Sequence, residues 1–323
     1  MLRRTFLVIL SVSSLGWPRF ARAQSGTKIW RIAHFYPGRQ EPADSPYWDA
    51  FRDELRTLGY IEGKNLIIDY NYADGQVDRL PSLAKKLVSL HPDVIVAVTT
   101  LAIAAAQRET STIPIVMCPA TDPIGSGFVK TYAHPGGNIT GTANMVGEAL
   151  GKAVELLHLA LPKAKRIAVL TSGNPTHSQQ YALFEAAAKR LGLEAVRAFA
   201  PGPEDLVPAF ENIVREACDA LFVLADITRS EIVTLADRAK LPAIYQTQAF
   251  VRLGGLASYS ANLMPVFRRA AHYVDKICKG AAPGEIPVEQ PVTFELAINL
   301  KAAASLGVTF PDSLIARAEI IVE

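Results

Sequence analysis

The feature that most constrains the fold of this chain is an internal duplication. Six short matches recur in the same order, with an offset that stays between 126 and 135 residues. Such a narrow range leaves room only for small differences in loop length, so the chain encodes the same lobe twice. The matches pair residues 31–33 with 166–168, Phe51 with Phe184, Gly59 with Gly192, residues 80–81 with 207–208, residues 93–94 with 219–220, and residues 113–114 with 241–242.

Each lobe is predicted to consist of alternating strands and helices. The apolar runs over residues 94–98 and 220–224 are typical of strands that are buried on both faces. Gly59 and Gly192 each end an amphipathic helix, since glycine readily takes the left-handed conformation of a helix stop. Alternating elements form parallel βαβ units with right-handed crossovers. The expected fold class is α/β, with two similar doubly wound parallel-sheet lobes that are joined by a hinge and enclose a cleft.

The domain organisation follows from the repeat and from the segments that have no counterpart in it. The first lobe is predicted to comprise residues 27–143 with about 260–284, and the second residues 144–259 with about 285–323. Within the first lobe, the pattern predicts a strand over residues 115–118 and a helix over residues 103–110.

The first 23 residues predict a cleavable secretory signal. An apolar run over residues 6–16 follows a basic start with Arg3 and Arg4, and small residues precede Gln24 at the positions that a signal peptidase recognises. The run is too short to span a bilayer as a stable helix. The two arginines fit a twin-arginine signal, and the general export route stays open beside it. We therefore expect a periplasmic protein without direct membrane insertion.

Charge and cysteine content argue against several classes of partner. Removal of the signal takes away four arginines and no acids, which leaves a net charge of −2. A nearly neutral body gives no electrostatic reason to bind nucleic acid or a membrane surface. Cys118, Cys218 and Cys278 have no metal-like spacing, so we expect buried thiols, with a disulfide left open. No cofactor is predicted.

Candidate binding residues lie at the carboxyl ends of the predicted strands, where open α/β sheets bind their ligands. Thr99 and Thr100 precede a predicted helix, and the start of a helix favours an anion such as a carboxylate. Asp122 and Asp226 would balance a ligand ammonium. Capping of a helix or turn is the competing interpretation of all four residues.

Aromatic and amide side chains complete the predicted site. Tyr36 and Tyr259 would cover an apolar or aromatic group. A zwitterion with an apolar tail, that is, an amino acid, fits this combination. The candidate ligand-binding residues are Tyr36, Thr99, Thr100, Ala120, Asp122, Ser172, Asn174, Asp226, Gln246 and Tyr259.

Signatures of common enzyme classes are missing from the sequence. It contains no Gly-x-Ser-x-Gly nucleophile elbow, no phosphate-binding loop that ends in Gly-Lys-Ser or Gly-Lys-Thr, and no His-Glu-x-x-His. The six histidines are scattered, which predicts neither a metal site nor a catalytic triad. His34, at the end of the first strand, is placed near the cleft as a satisfied structural residue.

Five motifs, in order along the chain, carry a family resemblance. Residues 58–65 (LGYIEGKN) resemble the LGY-x-EGKN signature of a family of ABC transporter substrate-binding proteins. The other four motifs are residues 122–127, residues 135–141, residues 254–259, and residues 287–291 followed by 298–301.

The resemblance implies a two-lobed receptor of the type I periplasmic binding protein kind, and some members of the family bind aromatic amino acids. Such a receptor closes on a small solute and docks transiently on an inner-membrane ABC permease. The expected solute is an amino acid, with an aromatic or branched side chain. A periplasmic sensor for a signalling receptor stays open as an alternative, and an enzyme on the same fold is a weaker one.

Overall fold

The structure is a computed structural model that describes residues 28–39, 45–144, 146–290 and 293–323. The predicted signal segment lies outside the described residues. Within the described ranges, no helix has the length and apolar character needed to cross a membrane.

The first lobe contains a five-stranded parallel sheet with the strand order β2-β1-β3-β4-β5. Its core is formed by strands that are almost wholly buried, as in β3, where all four residues are inaccessible. The elements are β1 (Trp30–Tyr36), α1 (Ser45–Thr57), β2 (Leu66–Tyr72), α2 (Leu80–Ser89), β3 (Val94–Ala97), α3 (Thr99–Glu109), β4 (Ile115–Thr121) and β5 (Ile139–Asn144).

The second lobe repeats this order and extends it. Its seven-stranded sheet has the order β12-β11-β10-β9-β8-β6-β7, and only the β10–β11 pair is antiparallel. The elements are α4 (Val146–Ala160), β6 (Arg166–Thr171), α5 (His177–Arg190), β7 (Glu194–Phe199), α6 (Leu206–Arg215), β8 (Ala220–Val223), α7 (Ser230–Arg238), β9 (Ala243–Tyr245), α8 (Ala249–Arg252), β10 (Ala257–Ala261), α9 (Leu263–Cys278), β11 (Phe294–Asn299), α10 (Leu300–Leu306), α11 (Asp312–Ile315) and β12 (Ile320–Val322). The predicted fold class is confirmed.

Residues of the duplicated motifs make the same contacts in both lobes. Asp93 accepts a hydrogen bond from the backbone N–H of Arg31 at 2.8 Å, and Asp219 accepts one from Arg166 at 2.9 Å. In each case the carboxylate fixes the start of a neighbouring strand. Hydrogen bonds from the backbone N–H groups of Arg166 and Lys165 favour the ionised form, so the pKa of Asp219 is lowered.

The chain returns to the first lobe after β10. α9 buries Phe267 and Val274 in the cluster that also holds Phe51 of α1. Residues 286–290 then follow β5, where the Glu289 N–H donates to the carbonyl of Gly141 at 3.1 Å. The chain therefore enters the second sheet after residue 290, later than the boundary near 285 that the sequence suggested.

Two element boundaries differ from the sequence prediction at the edge of the cleft. α3 begins at Thr99 and not near Ile103, so both threonines belong to its first turn. β4 continues past Cys118 to Thr121, with an irregular pairing to β5 that accommodates Pro119, which has no N–H to donate.

Gly141 allows β5 to approach β4 closely beside this irregular pairing. A Cβ at residue 141 would lie 2.4 Å from the carbonyl oxygen of Met117. Only glycine permits such a close approach of the two backbones.

Candidate ligand-binding site

A cavity of about 120 Å³ lies between the carboxyl ends of the two sheets. A buried water molecule needs only about 10–15 Å³, so the cavity has room for a small organic molecule. The first lobe lines it with Tyr36, Tyr47, Trp48, Val98, Thr99, Thr100, Pro119, Thr121, Asn144, Leu263 and Phe267. The second lobe lines it with Ala149, Asn174, Gln180, Ala225, Asp226, Thr228, Gln246, Thr247, Ala249, Tyr259, Ser260, Ala261 and Phe294.

The first turn of α3 presents hydrogen-bond donors to the cavity. Thr99 has a φ of +76°, which is rare for a β-branched residue, and its buried hydroxyl has no partner among the described residues. Thr100 Oγ1 accepts a hydrogen bond from the N–H of Thr121 at 3.1 Å, which links α3 to the end of β4. The first N–H groups of a helix lack partners within the helix and carry partial positive charge. This corner of the cavity therefore suits an anion.

Asp226 follows β8 and is oriented by residues after β6. The Ser172 hydroxyl donates to Oδ2 of Asp226, and the Ser172 N–H donates to Nδ1 of His177 at 2.9 Å. Nε2 of His177 lies 3.2 Å from the carbonyl oxygen of Ala225, which can only accept, so the ring is neutral and carries its hydrogen on Nε2. This network fixes one oxygen of Asp226, while the other, Oδ1, is buried without a hydrogen-bond partner among the described residues.

Several buried polar atoms of the cavity lining have no hydrogen-bond partner among the described residues. Each such atom costs about 1–3 kcal/mol in an apolar interior, and native proteins therefore contain few of them. The residues that carry these atoms line one cavity, which makes the atoms candidate partners for a bound molecule. The atoms are Thr99 Oγ1, Asn144 Oδ1, Gln180 Oε1, Asp226 Oδ1 and Thr247 Oγ1.

Aromatic rings from both lobes form opposing walls of the cavity. In the first lobe, Phe267 stacks on Tyr47 with ring centroids 5.5 Å apart and meets Trp48 edge to face at 5.4 Å. In the second lobe, Tyr259 and Phe294 stack at 5.8 Å. Burial raises the pKa of Tyr259, so its hydroxyl stays protonated. Such walls suit a planar apolar group.

His34 lies behind the aromatic wall of the first lobe. Its ring centroid is 3.8 Å from that of Trp48 and 5.0 Å from that of Tyr72, and the residue is completely buried. Neither ring nitrogen has a partner among the described residues, so the prediction of a satisfied histidine is wrong. Burial lowers the pKa of His34 to about 3, which keeps the ring neutral.

The structure brings seven of the ten predicted residues to the cavity lining: Tyr36, Thr99, Thr100, Asn174, Asp226, Gln246 and Tyr259. The two amide side chains among them also accept hydrogen bonds from the protein. Asn174 Oδ1 accepts from the N–H and hydroxyl of Thr176, and Gln246 Oε1 accepts from the N–H of Ala225 at 2.9 Å.

Three predicted residues lie outside the lining. Ala120 is fully buried in the core, because β4 is longer than expected and residue 120 pairs with Ala143 of β5. Asp122 accepts a hydrogen bond from the N–H of Gly125 at 3.0 Å, which is the turn role that competed with ligand binding. Ser172 orients Asp226 and does not itself line the cavity.

Lining residues in the first turns of the helices that follow β1 and β6 were not predicted from the sequence. Tyr47 and Gln180 both line the cavity, and the repeat pairs them at the same offset of 133 as Phe51 and Phe184. A helix that follows a parallel strand starts at the ligand edge of the sheet, so its first turn faces the cleft. The repeat together with this rule would have found both residues.

Comparison with known proteins places the chain in a family. The family model described as ABC transporter substrate binding protein matches residues 40–322. The chain belongs to this family of ABC transporter substrate-binding proteins. This binding protein is 30% identical over 254 residues to the tyrosine-binding protein of Clostridioides difficile, a match that covers 77% of this chain and 73% of the relative.

Two solved structures show the relation in three dimensions. An ABC domain from Streptococcus pneumoniae in complex with L-Trp is 26% identical, with a TM-score of 0.83 over 91% of this binding protein and 100% of the other chain. A substrate-binding protein with adhesive properties from Clostridium difficile, in a ligand-free, open structure, is 25% identical. Its TM-score is 0.63 over 91% of this binding protein and 99% of the other chain. The fold is that of the type I periplasmic binding proteins.

Proposed function

We propose that this protein is the periplasmic solute receptor of an ABC importer and that its solute is an amino acid with an aromatic side chain. The observation that carries the proposal is the cavity, in which aromatic walls face each other around buried polar atoms without partners. Among the lining residues, Asp226 is the one side chain with a formal charge at neutral pH. A zwitterion with a planar tail would match the aromatic walls, the buried polar atoms and the charge of Asp226.

Each part of the amino acid has a matching part of the cavity. Asp226 Oδ1 would accept from the ammonium group. The first turn of α3, with Thr99 and Thr100, would donate to the carboxylate. The side chain would lie between Trp48 of the first lobe and Tyr259 of the second. The names of two relatives, one tyrosine-binding and one in complex with L-Trp, support this assignment.

Binding would proceed by closure of the lobes around the solute. At nearly equal sequence identity, the chain resembles the L-Trp complex more closely than the ligand-free, open structure, which supports a closed arrangement of its lobes. In that arrangement the Thr228 N–H of the second lobe donates to the Tyr36 hydroxyl of the first at 3.3 Å. A solute with contacts to both lobes stabilises the closed state over the open one.

The proposal also states where the protein acts and that it does not convert its solute. The protein would be secreted through its cleavable signal and would deliver the solute to an inner-membrane permease. As a binding protein, it should return the solute unchanged. Mass spectrometry of the solute after long incubation with the protein checks this point, and any turnover product would favour an enzyme.

Thermal unfolding of the mature chain with and without added amino acids tests the proposal. A ligand at one hundred times its Kd stabilises the native state by about 2.7 kcal/mol, which raises the Tm by several degrees at this size. We expect shifts with L-tyrosine, L-tryptophan or L-phenylalanine and none with L-glutamate. Absence of a shift with every amino acid, after unfolding and refolding to remove any retained solute, would contradict the proposal.

A further inference from the structure

The segment that carries Asp226 also holds the two lobes together. Residues 225–231, here called the clasp segment, comprise the end of the loop after β8 and the first two residues of α7. Asp226 faces the cavity at one end of the segment, while the residues after it contact the first lobe. Solute recognition and lobe contact are therefore combined within seven consecutive residues.

Three polar contacts join the clasp segment to the first lobe. Besides the Thr228 hydrogen bond to Tyr36, Nη2 of Arg229 donates to the carbonyl of Gly75 at 3.3 Å. Glu231 forms an ion pair with Arg39 at 3.0 Å. The ion pair is exposed on both sides and contributes little, so the two buried contacts matter more.

Arg229 is unusual among the cations of the chain because it is only 6% exposed. Among the described residues no carboxylate pairs with it, and its Nε has no partner. It does not line the cavity. A guanidinium in this position makes its contact with Gly75 only while the lobes are together, so the contact depends on closure.

Gly38 is a close apolar contact of the clasp segment. A methyl group at residue 38 would lie 3.0 Å from Cγ2 of Ile227 and 2.7 Å from the ring of Tyr36. The backbone φ of Gly38 is not in the left-handed region, so alanine would be allowed there but for these contacts. Glycine at this position therefore permits the lobes to approach.

We propose that Arg229 and Gly38 are positioning residues that set the affinity for the solute without touching it. The inference rests on the proposed function, because it assigns these residues a role in closure around that solute. The apparent Kd of a receptor rises as its closed state becomes less populated. Loss of the Arg229 contact should therefore weaken binding and leave the cavity lining intact, whereas a methyl group at residue 38 would crowd both Ile227 and the lining residue Tyr36.

The first test compares Arg229→Met with Arg238→Met by isothermal titration with L-tyrosine. Arg238 is exposed in the last turn of α7 and serves as the matched control. We expect the Kd to rise about tenfold in Arg229→Met, the effect of one hydrogen bond to a charged group, and to stay at the wild-type value in the control. Arg229→Lys, which retains a cation that can donate to Gly75, should recover part of the affinity.

The second test compares Gly38→Ala with Gly151→Ala, a change that meets no atom within 4 Å. We expect weaker binding of L-tyrosine only in Gly38→Ala. Stopped-flow measurement should show a faster dissociation rate in Gly38→Ala and Arg229→Met, since the closed state opens more readily. The Tm of Arg229→Met without solute should match that of the wild type, which separates a role in closure from damage to the fold. Gly38→Ala also crowds Tyr36 within the first lobe, so its dissociation rate is the measurement that reports on closure.

The outcomes distinguish the two proposals. If the wild type binds L-tyrosine and both clasp variants bind it equally well or more tightly, the clasp inference is wrong and the proposed function stands. A wild-type protein that binds no amino acid contradicts the proposed function itself. If affinity is lost together with several degrees of Tm in solute-free Arg229→Met, the residue is structural and the clasp inference is again wrong.

Discussion

The two lobes have the same scaffold and opposite chemistry at equivalent positions. The repeat that pairs Asp93 with Asp219 also pairs Thr100 with Asp226 at an offset of 126. In the first lobe this position lies in the first turn of a helix with free donors, and in the second it carries a carboxylate. Under the proposed function, one fold position would serve as an anion site in one lobe and as a cation site in the other.

A second pair of equivalent positions shows the same divergence. Tyr47 contributes an aromatic ring to the cavity lining in the first lobe, and its counterpart Gln180 contributes an amide in the second. Trp48 faces the cavity, whereas its counterpart Tyr181 donates to the carbonyl of Ala195 in its own lobe. The core residues have the same roles in both copies, whereas the residues at the cleft differ in chemistry between the lobes.

The largest expected effect is the loss of the charge in the second lobe. We predict that Asp226→Asn weakens L-tyrosine binding by about 10²–10³-fold, because a buried ammonium would lose its counter-charge. The matched control is Asp237→Asn, which changes an exposed carboxylate of α7. The ligand 3-(4-hydroxyphenyl)propanoate lacks the ammonium group, and titration with it should show similar affinities for both proteins. A strong preference of Asp226→Asn for L-tyrosine over this ligand would place the ammonium elsewhere.

The aromatic wall of the first lobe should account for side-chain selectivity. Trp48→Leu removes a ring that lies edge to face with Phe267, and we predict a loss of about 10–100-fold for L-tyrosine and L-tryptophan. Trp30→Leu is the control, because Trp30 does not line the cavity. Isothermal titration measures the affinity of both variants for the two amino acids. Equal losses of affinity in both variants would show that Trp48 contributes through general stability.

His34 of β1 and His177 at the start of α5 are both buried, but they differ in their polar partners. The His177 ring accepts a hydrogen bond from the Ser172 N–H, and its Nε2 lies within hydrogen-bond distance of the Ala225 carbonyl oxygen. The ring of His34 has no polar partner among the described residues. Because the pKa of His34 is about 3 in the folded chain and about 6.5 in an unfolded one, the unfolded chain binds the proton first. Its contribution to the free energy of unfolding is complete above pH 6.5 and is lost as the pH falls toward 3.

We therefore predict that His34→Phe makes unfolding less sensitive to acid. Between pH 7 and about pH 5.5 the wild type should lose roughly 1.4 kcal/mol more of its free energy of unfolding than this variant. Urea unfolding at both pH values measures the difference. His134→Phe changes a histidine with a side chain that is 78% exposed, and it should behave like the wild type. Equal acid sensitivity in His34→Phe and the wild type would rule out this role.

The smallest expected effect concerns the anion site of the first lobe. Thr99→Val keeps the shape and removes a hydroxyl that has no partner within the described residues, so we predict about fivefold weaker L-tyrosine binding. L-tyrosinamide, which has no carboxylate, should bind both proteins with the same affinity. A fivefold difference with this amide as well would indicate that Thr99 contacts another part of the solute.

The sequence was sufficient to predict the fold, because buried strands and helix stops are local patterns and the repeat showed them twice. The predicted run over residues 94–98 overlaps β3, and both copies of the Asp motif have the same role. The edge of the sheet at which the site lies was predicted for the same reason, although β4 ends three residues later than expected. A parallel sheet brings its carboxyl ends to one edge whatever the details of packing.

The remaining parts of the site depend on tertiary contacts that a single sequence does not display. Ser172 has the right position for a ligand contact, but its hydroxyl is directed to Asp226. Phe267 lies more than two hundred residues from Tyr47 in sequence and completes the same wall. His34 was expected to have a polar partner, and only the packing of β1 against Trp48 shows that it lies among rings.

The return of α9 and of residues 286–290 to the first sheet has a consequence for engineering. Although each copy of the repeat is a continuous stretch of sequence, neither lobe is. A fragment that ends at Asn144 would lack Phe267 and Val274, and the apolar face of α1 that they cover would be exposed to water. Lobes of different relatives therefore cannot be exchanged by a single fusion point, and a functional chimera needs a junction at every passage between the sheets.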